Sequence, residues 1–150
     1  MYTEDVPWDA PEAEALRGAQ RVEIAERYGD PDTEPGVAPS GDDIAVFVLV
    51  RNEDGTAIGC GGLRQLDEVT GEVKRMYVVP ESRGSGAADA IVEALEVHAR
   101  KRGWTHLRLE TGDRLASAIA FYRRRGFERI QNFGPYVGVD YSLCFELELT

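Results

Sequence analysis

The chain has few of the residues that bind metals, form disulfides or cross membranes. Two cysteines and two histidines are spread through 150 residues. Cys60 and Cys144 match no metal-ligand spacing and sit in apolar runs, where cysteine behaves as a small hydrophobe, so buried free thiols are expected. His98 and His106 belong to no partner pattern, and no metal site is expected. Positive charge is also scarce: 17 Lys and Arg against 27 Asp and Glu leave a net charge of −10. Non-specific nucleic-acid affinity comes from clustered basic residues, so nucleic acid is not an expected partner. The same acidity draws cationic small molecules toward the surface, a lean toward an amine substrate. No apolar run approaches the ~20 residues that span a bilayer. The opening MYTEDVPWDAPEAEAL carries no basic and apolar signal segment, and a cytoplasmic protein with no membrane partner is expected.

What is present is material for one core: 43% of the residues are hydrophobic, which suits a single domain over residues 1–150. Residues 11–27 place Ala15, Leu16, Ala19, Val22, Ile24 and Ala25 at helical spacing, with Asp9 as a cap and Pro11 in the first turn. Residues 28–43 hold three Pro and three Gly among acidic residues and read as a long loop over a site. The β-branched run IAVFVLVR, the turn at residues 52–55 and the return TAIGCGGLRQL make a hairpin. Gly59, Gly61 and Gly62 in the return strand predict a bulge or the close approach of another backbone. EVKRMYVV is a third strand, ended by Pro80. Residues 84–102 form the most regular helix, followed by a strand at 105–111, a helix at 114–125, and strands from Phe127 and at 141–149. Residues 1–8 offer only a short, weak candidate for a first strand, so the sheet begins either there or with the hairpin. This order gives an α/β (α+β) domain with a mixed sheet, antiparallel at its hairpins and parallel across one helical crossover.

The chemistry concentrates after the third strand. A strand, a Gly-rich turn and a helix N-terminus make an anion site, because free backbone amides point outward and the helix dipole favours negative charge. Gly84 and Gly86 remove side chains that would hold a phosphate away, and Ser85 offers a hydroxyl. Taken alone the segment is equally a turn without a ligand. It lacks the third Gly or Ala of the dinucleotide fingerprint and the Gly-Lys-Ser/Thr of a P-loop.

Arg83-Gly84-Ser85-Gly86-Ala87-Ala88 follows an apolar strand, and Ala118-Ile119-Ala120-Phe121-Tyr122-Arg123-Arg124-Arg125-Gly126-Phe127 comes later in the chain. In this order and at this separation the two segments resemble the signatures of the GCN5-related N-acetyltransferase (GNAT) superfamily. The resemblance spans residues 44–148. It implies a twisted, mostly antiparallel sheet flanked by helices, split between two central parallel strands, and acetyl-CoA as acyl donor. The backbone of Met76, Tyr77 and Val78 would hold the pantetheine arm like an added strand. The amides of Gly84, Ser85, Gly86, Ala87 and Ala88, after Arg83, would take the pyrophosphate, and an amide near Val78 the oxyanion. Tyr122 matches the family tyrosine that protonates the departing thiolate; by itself it is equally a core aromatic beside Phe121.

Two carboxylates compete as general base, Glu110 at the end of a strand and Glu72 at the start of one. Either is alternatively structural, paired with Arg75 or Arg108. Leu115 stands where many relatives carry a cofactor-contacting Asn. The acceptor side is expected from residues 28–43 and 133–140, with the aromatic turn of Asn132 to Tyr136 as a candidate wall or a plain connection. Lys74 and Arg75 are read as anion-holding residues or a solvated strand face. The resemblance implies N-acetyl transfer from acetyl-CoA to a primary amine of a small molecule or peptide, and a homodimer is compatible with it. The alternative from another class is a non-catalytic acyl-CoA sensor of the same fold.

Overall fold

A computed structural model describes residues 1–31 and 33–150. Alternation and turn chemistry produce β1 (Tyr2–Asp5), β2 (Ile44–Arg51), β3 (Ala57–Gln65) and β4 (Thr70–Val78), with α1 (Pro11–Tyr28) between the first two. There follow α2 (Ala87–Lys101), β5 (His106–Gly112), α3 (Ala116–Arg124), β6 (Glu128–Ile130) and β7 (Ser142–Glu148). The strands form one seven-stranded sheet in the order β1-β2-β3-β4-β5-β7-β6. Every neighbouring pair is antiparallel except β4 and β5, which run parallel.

The sheet does not begin with the hairpin. β1 pairs antiparallel with β2, and its residues are all exposed, which is why it leaves so weak a hydrophobic pattern. Polar ties hold it instead: Arg51 bridges Glu4 and Glu12, and His98 meets Asp5. Asp9 is not the cap of α1. Ala10 occupies that position without a side-chain hydrogen bond, and Pro11 opens the helix.

α2 covers one face of the sheet through Ala87, Ile91, Val92, Leu95 and Ala99, one stripe at helical spacing that packs with Val46, Val48, Val50 and Ile58. On the other face, Ala13 and Leu16 of α1 pack with Phe47, Leu49, Cys60 and Tyr77. Backbone does come close at the β3 glycines: a Cβ would lie 2.8 Å from the Tyr77 carbonyl oxygen at Gly59 and 2.9 Å from that of Val46 at Gly62. A Cβ on Gly61 would lie 2.8 Å from Ile91 Cγ2, so glycine lets α2 close on the sheet. The β3–β4 register also shifts between Cys60 and Gly62. β4 carries the extra residue there, and Arg75 takes a φ of 55°, the one positive value outside glycine among the described residues.

This bulge lies where the parallel pair comes apart. β4 and β5 are paired only through Thr70–His106, Gly71–Leu107 and Glu72–Arg108. Beyond those pairs the two strands diverge, giving the expected split.

Candidate active site

Two cavities open at the split. The larger, of about 760 Å³, runs along β4 past Met76, Tyr77 and Val78 to the start of α2. The Val79 amide donates to the Ile58 carbonyl on β3, so the alternate residues Met76 and Val78 turn their backbone groups to the open side. Their carbonyls accept from Gln20 Nε2 at 2.9 Å and Arg83 Nε at 3.0 Å.

At the far end Gly84 and Gly86 have φ of 81° and 91°, and a Cβ built on either meets nothing within 4 Å. α2 has no side-chain cap, and its first backbone bond is from Ala90 to Gly86. Its opening amides therefore face the cleft free for an anion. Ala87 is buried in the core, so it can offer only its amide. The Ser85 hydroxyl donates to the Ser82 carbonyl instead of standing free, and Arg83 is held against Glu23 on α1 at 2.7 Å. A strand edge leading to a glycine-lined helix N-terminus suits a ligand with a peptide-like arm and a diphosphate.

The smaller cavity, of about 130 Å³, lies inside the split and takes Glu110 and Thr111 from β5, Lys74 and Arg75 from β4, and Tyr122 from α3. Both cavities are lined by Gln20, Ile24, Met76, Leu115, Ala118 and Tyr122, so they meet beside the tyrosine. Tyr122 packs edge-on to Phe121 and Phe127 at 5.3 and 5.5 Å. Burial pushes its pKa well above that of an ordinary phenol, so the hydroxyl stays protonated at neutral pH. Glu110 is half-buried and accepts from Ser142 Oγ. Burial raises its pKa above the ordinary carboxylate value, and the Ser142 bond draws it partly back.

The other carboxylate is placed differently. Glu72 is 2% exposed and lines neither cavity. Tyr136 donates to it at 2.6 Å, Lys74 Nζ lies 3.6 Å away, and Arg64 approaches its other oxygen at 3.9 Å. Its partners are thus neither Arg75 nor Arg108; Arg108 pairs with Glu146 at 2.7 Å. Lys74 is not on a solvated face but is 4% exposed, between Tyr136 at 3.1 Å and Glu34 at 3.0 Å. The aromatic turn does not line the smaller cavity either, because Tyr136 points into the core and is 1% exposed. From the loop after α1 the cavity takes Pro31, Thr33 and Glu34, but none of residues 133–140 lines it; Tyr141, just beyond that segment, does. Sequence reading missed Gln20, whose partner Met76 lies 56 positions away, and Ser142, which reaches Glu110 only through the β5–β7 register.

A profile described as the acetyltransferase (GNAT) family matches residues 10–127. The chain belongs to the GNAT family. Among curated GNAT relatives, an IAA acetyltransferase of Azospirillum brasilense is 41% identical over 67% of this chain and 67% of its own length. The chain spans about half the length of two others, 55% and 53%, from Schizosaccharomyces pombe and Bacillus subtilis. A Klebsiella pneumoniae protein assigned as an acyl-CoA N-acyltransferase superposes with a TM-score of 0.82 at 31% identity, over 99% of this chain and 97% of that one. A GNAT acetyltransferase of Elizabethkingia anophelis, solved with acetyl-CoA bound, shares the fold at a TM-score of 0.72 and 15% identity, over 98% and 97%. Against the usual GNAT pattern, Leu115 lines both cavities with an apolar side chain where many members carry Asn.

Proposed function

We propose that residues 1–150 act as one N-acetyltransferase domain that moves an acetyl group from acetyl-CoA to a primary amine of a small molecule or peptide. The observation that carries this reading is the meeting of the two cavities beside Tyr122. One cavity has the shape and donors for the arm and diphosphate of the cofactor; the other brings a carboxylate and leads in from solvent.

The bound thioester supplies an activated acyl carbon. The free amine attacks that carbon, the C–S bond breaks, and the proton shed by nitrogen must leave as sulfur gains one. The amides of Met76 and Val78, on the open side of β4, are placed to orient the arm and steady negative charge at the carbonyl oxygen. Tyr122 gives its phenolic proton to sulfur. Glu110 takes the proton from nitrogen, directly or through water, since it lines the acceptor cavity and its raised pKa brings it nearer neutrality. Glu72 is assigned a structural role.

Release of free thiol from acetyl-CoA across a panel of amines and peptides tests the proposal. Turnover with any primary amine supports it. Tight cofactor binding with no thiol release for any acceptor overturns it in favour of the sensor.

A further inference from the structure

We infer that Gln20 extends the binding edge of β4, its Oε1 accepting a hydrogen bond from an amide N–H of the pantetheine arm. The inference rests on the acetyl-CoA reading of the larger cleft. A ligand lying along β4 like an added strand needs acceptors for its own N–H groups. Both carbonyls that β4 turns outward are already engaged, Met76 by Gln20 and Val78 by Arg83. Each carbonyl keeps a second lone pair, and an acceptor with no donor of its own beside the edge would add to it.

Gln20 provides one. Its Nε2 donates to the Met76 carbonyl at 2.9 Å, and a carbonyl cannot donate, so this bond decides which end of the amide is nitrogen. The oxygen is thereby the end that makes no bond to β4. That Oε1 is buried and has no hydrogen-bond partner among the described residues. A buried acceptor without a donor carries its full desolvation cost, which a ligand N–H would remove. Gln20 also lines both cavities, at their meeting point. Its side-chain amide copies a strand residue in part: the donor is satisfied by β4, and the acceptor is left for a ligand to satisfy. The edge of β4 is moved outward by one side chain, and α1 becomes part of the cofactor site.

A cycle of protein and ligand changes tests this. Calorimetry would compare wild type with Gln20→Met, which keeps the length of the chain without its polar atoms, against three ligands. These are acetyl-CoA and two analogues, each with one arm amide changed to an ester so that an N–H becomes an oxygen. Adenosine 3′,5′-bisphosphate, which has no arm, is the control. Wild type is expected to bind one of the esters about tenfold more weakly than acetyl-CoA, and Gln20→Met to bind that ester and acetyl-CoA alike. The control should bind both proteins within about twofold. Equal losses in both proteins, or no loss in either, overturn the inference; the first is also the outcome if Gln20 only braces β4 or serves the acceptor amine. Failure of wild type to bind acetyl-CoA at all would instead remove the donor reading beneath it.

Discussion

The Tyr136 hydroxyl donates to Glu72 across 2.6 Å, and both side chains are withdrawn from solvent. The pair lies beside the last β4–β5 rung, where the sheet is about to open. Its work is to let β4 carry a buried carboxylate there without leaving it unpaired. Tyr136→Phe should destabilise the protein by about 1.5–3 kcal/mol, the range for a hydrogen bond to a charged group. Urea unfolding would show a lower midpoint at unchanged slope. Turnover per folded molecule should stay within a few-fold of wild type with the same pH profile. A moved profile would restore Glu72 to the chemistry.

Glu110 and Ser142 should govern the acidic limb of the pH–rate profile. A base works ionised, so the rate falls as pH drops through the raised pKa of Glu110. Ser142→Ala removes the donor that favours the charged form, and the limb should move to higher pH. Glu110→Gln should abolish it. Linkage gives a second readout. Because the folded pKa is raised, the Glu110 contribution to stability is present below the unfolded value and lost as pH rises through the folded one. Glu110→Gln should therefore gain on wild type in melting temperature as pH rises through that window. Parallel melting curves across pH would refute the assignment.

Tyr122→Phe separates proton donation from packing. The ring is buried between Phe121 and Phe127, and Phe keeps its volume, so acetyl-CoA affinity and stability should change little. Loss of the general acid should lower kcat by about 10²- to 10⁴-fold. A kcat within about threefold of wild type would make Tyr122 a core residue.

The larger cleft was legible in the sequence because its parts are local: a strand, two glycines and a helix start follow one another along the chain. Tyr122 was legible through its neighbours Arg123 to Phe127. The choice between Glu110 and Glu72 was not. Both stand on strands among apolar residues, and only sheet register turns one into the cavity and seals the other under Tyr136. β1 read only as a weak candidate for a related reason, since an exposed edge strand held by ion pairs needs no alternation. Lys74 misled through its charge, because its partners Glu34 and Tyr136 come from 40 positions before and 62 after.

The glycines divide by what surrounds them, which yields a contrast between stability and affinity. A Cβ on Gly86 meets nothing within 4 Å, so alanine there suffers only its left-handed φ of 91°, about 1–2 kcal/mol. That open space is also where the proposed diphosphate would approach the amides of α2, and a methyl group would hold it off. Gly86→Ala should then weaken acetyl-CoA binding at least tenfold while the protein remains folded. A Cβ on Gly61 would stand 2.8 Å from Ile91 Cγ2 and 3.2 Å from Met76 Sδ, inside the packed layer between β3 and α2. Gly61→Ala should cost about 1–3 kcal/mol by overpacking. Paired calorimetry and urea unfolding would show a loss of affinity that outweighs the loss of stability for Gly86→Ala, and the reverse for Gly61→Ala. If Gly86→Ala binds acetyl-CoA as wild type does, the diphosphate does not lie against the start of α2.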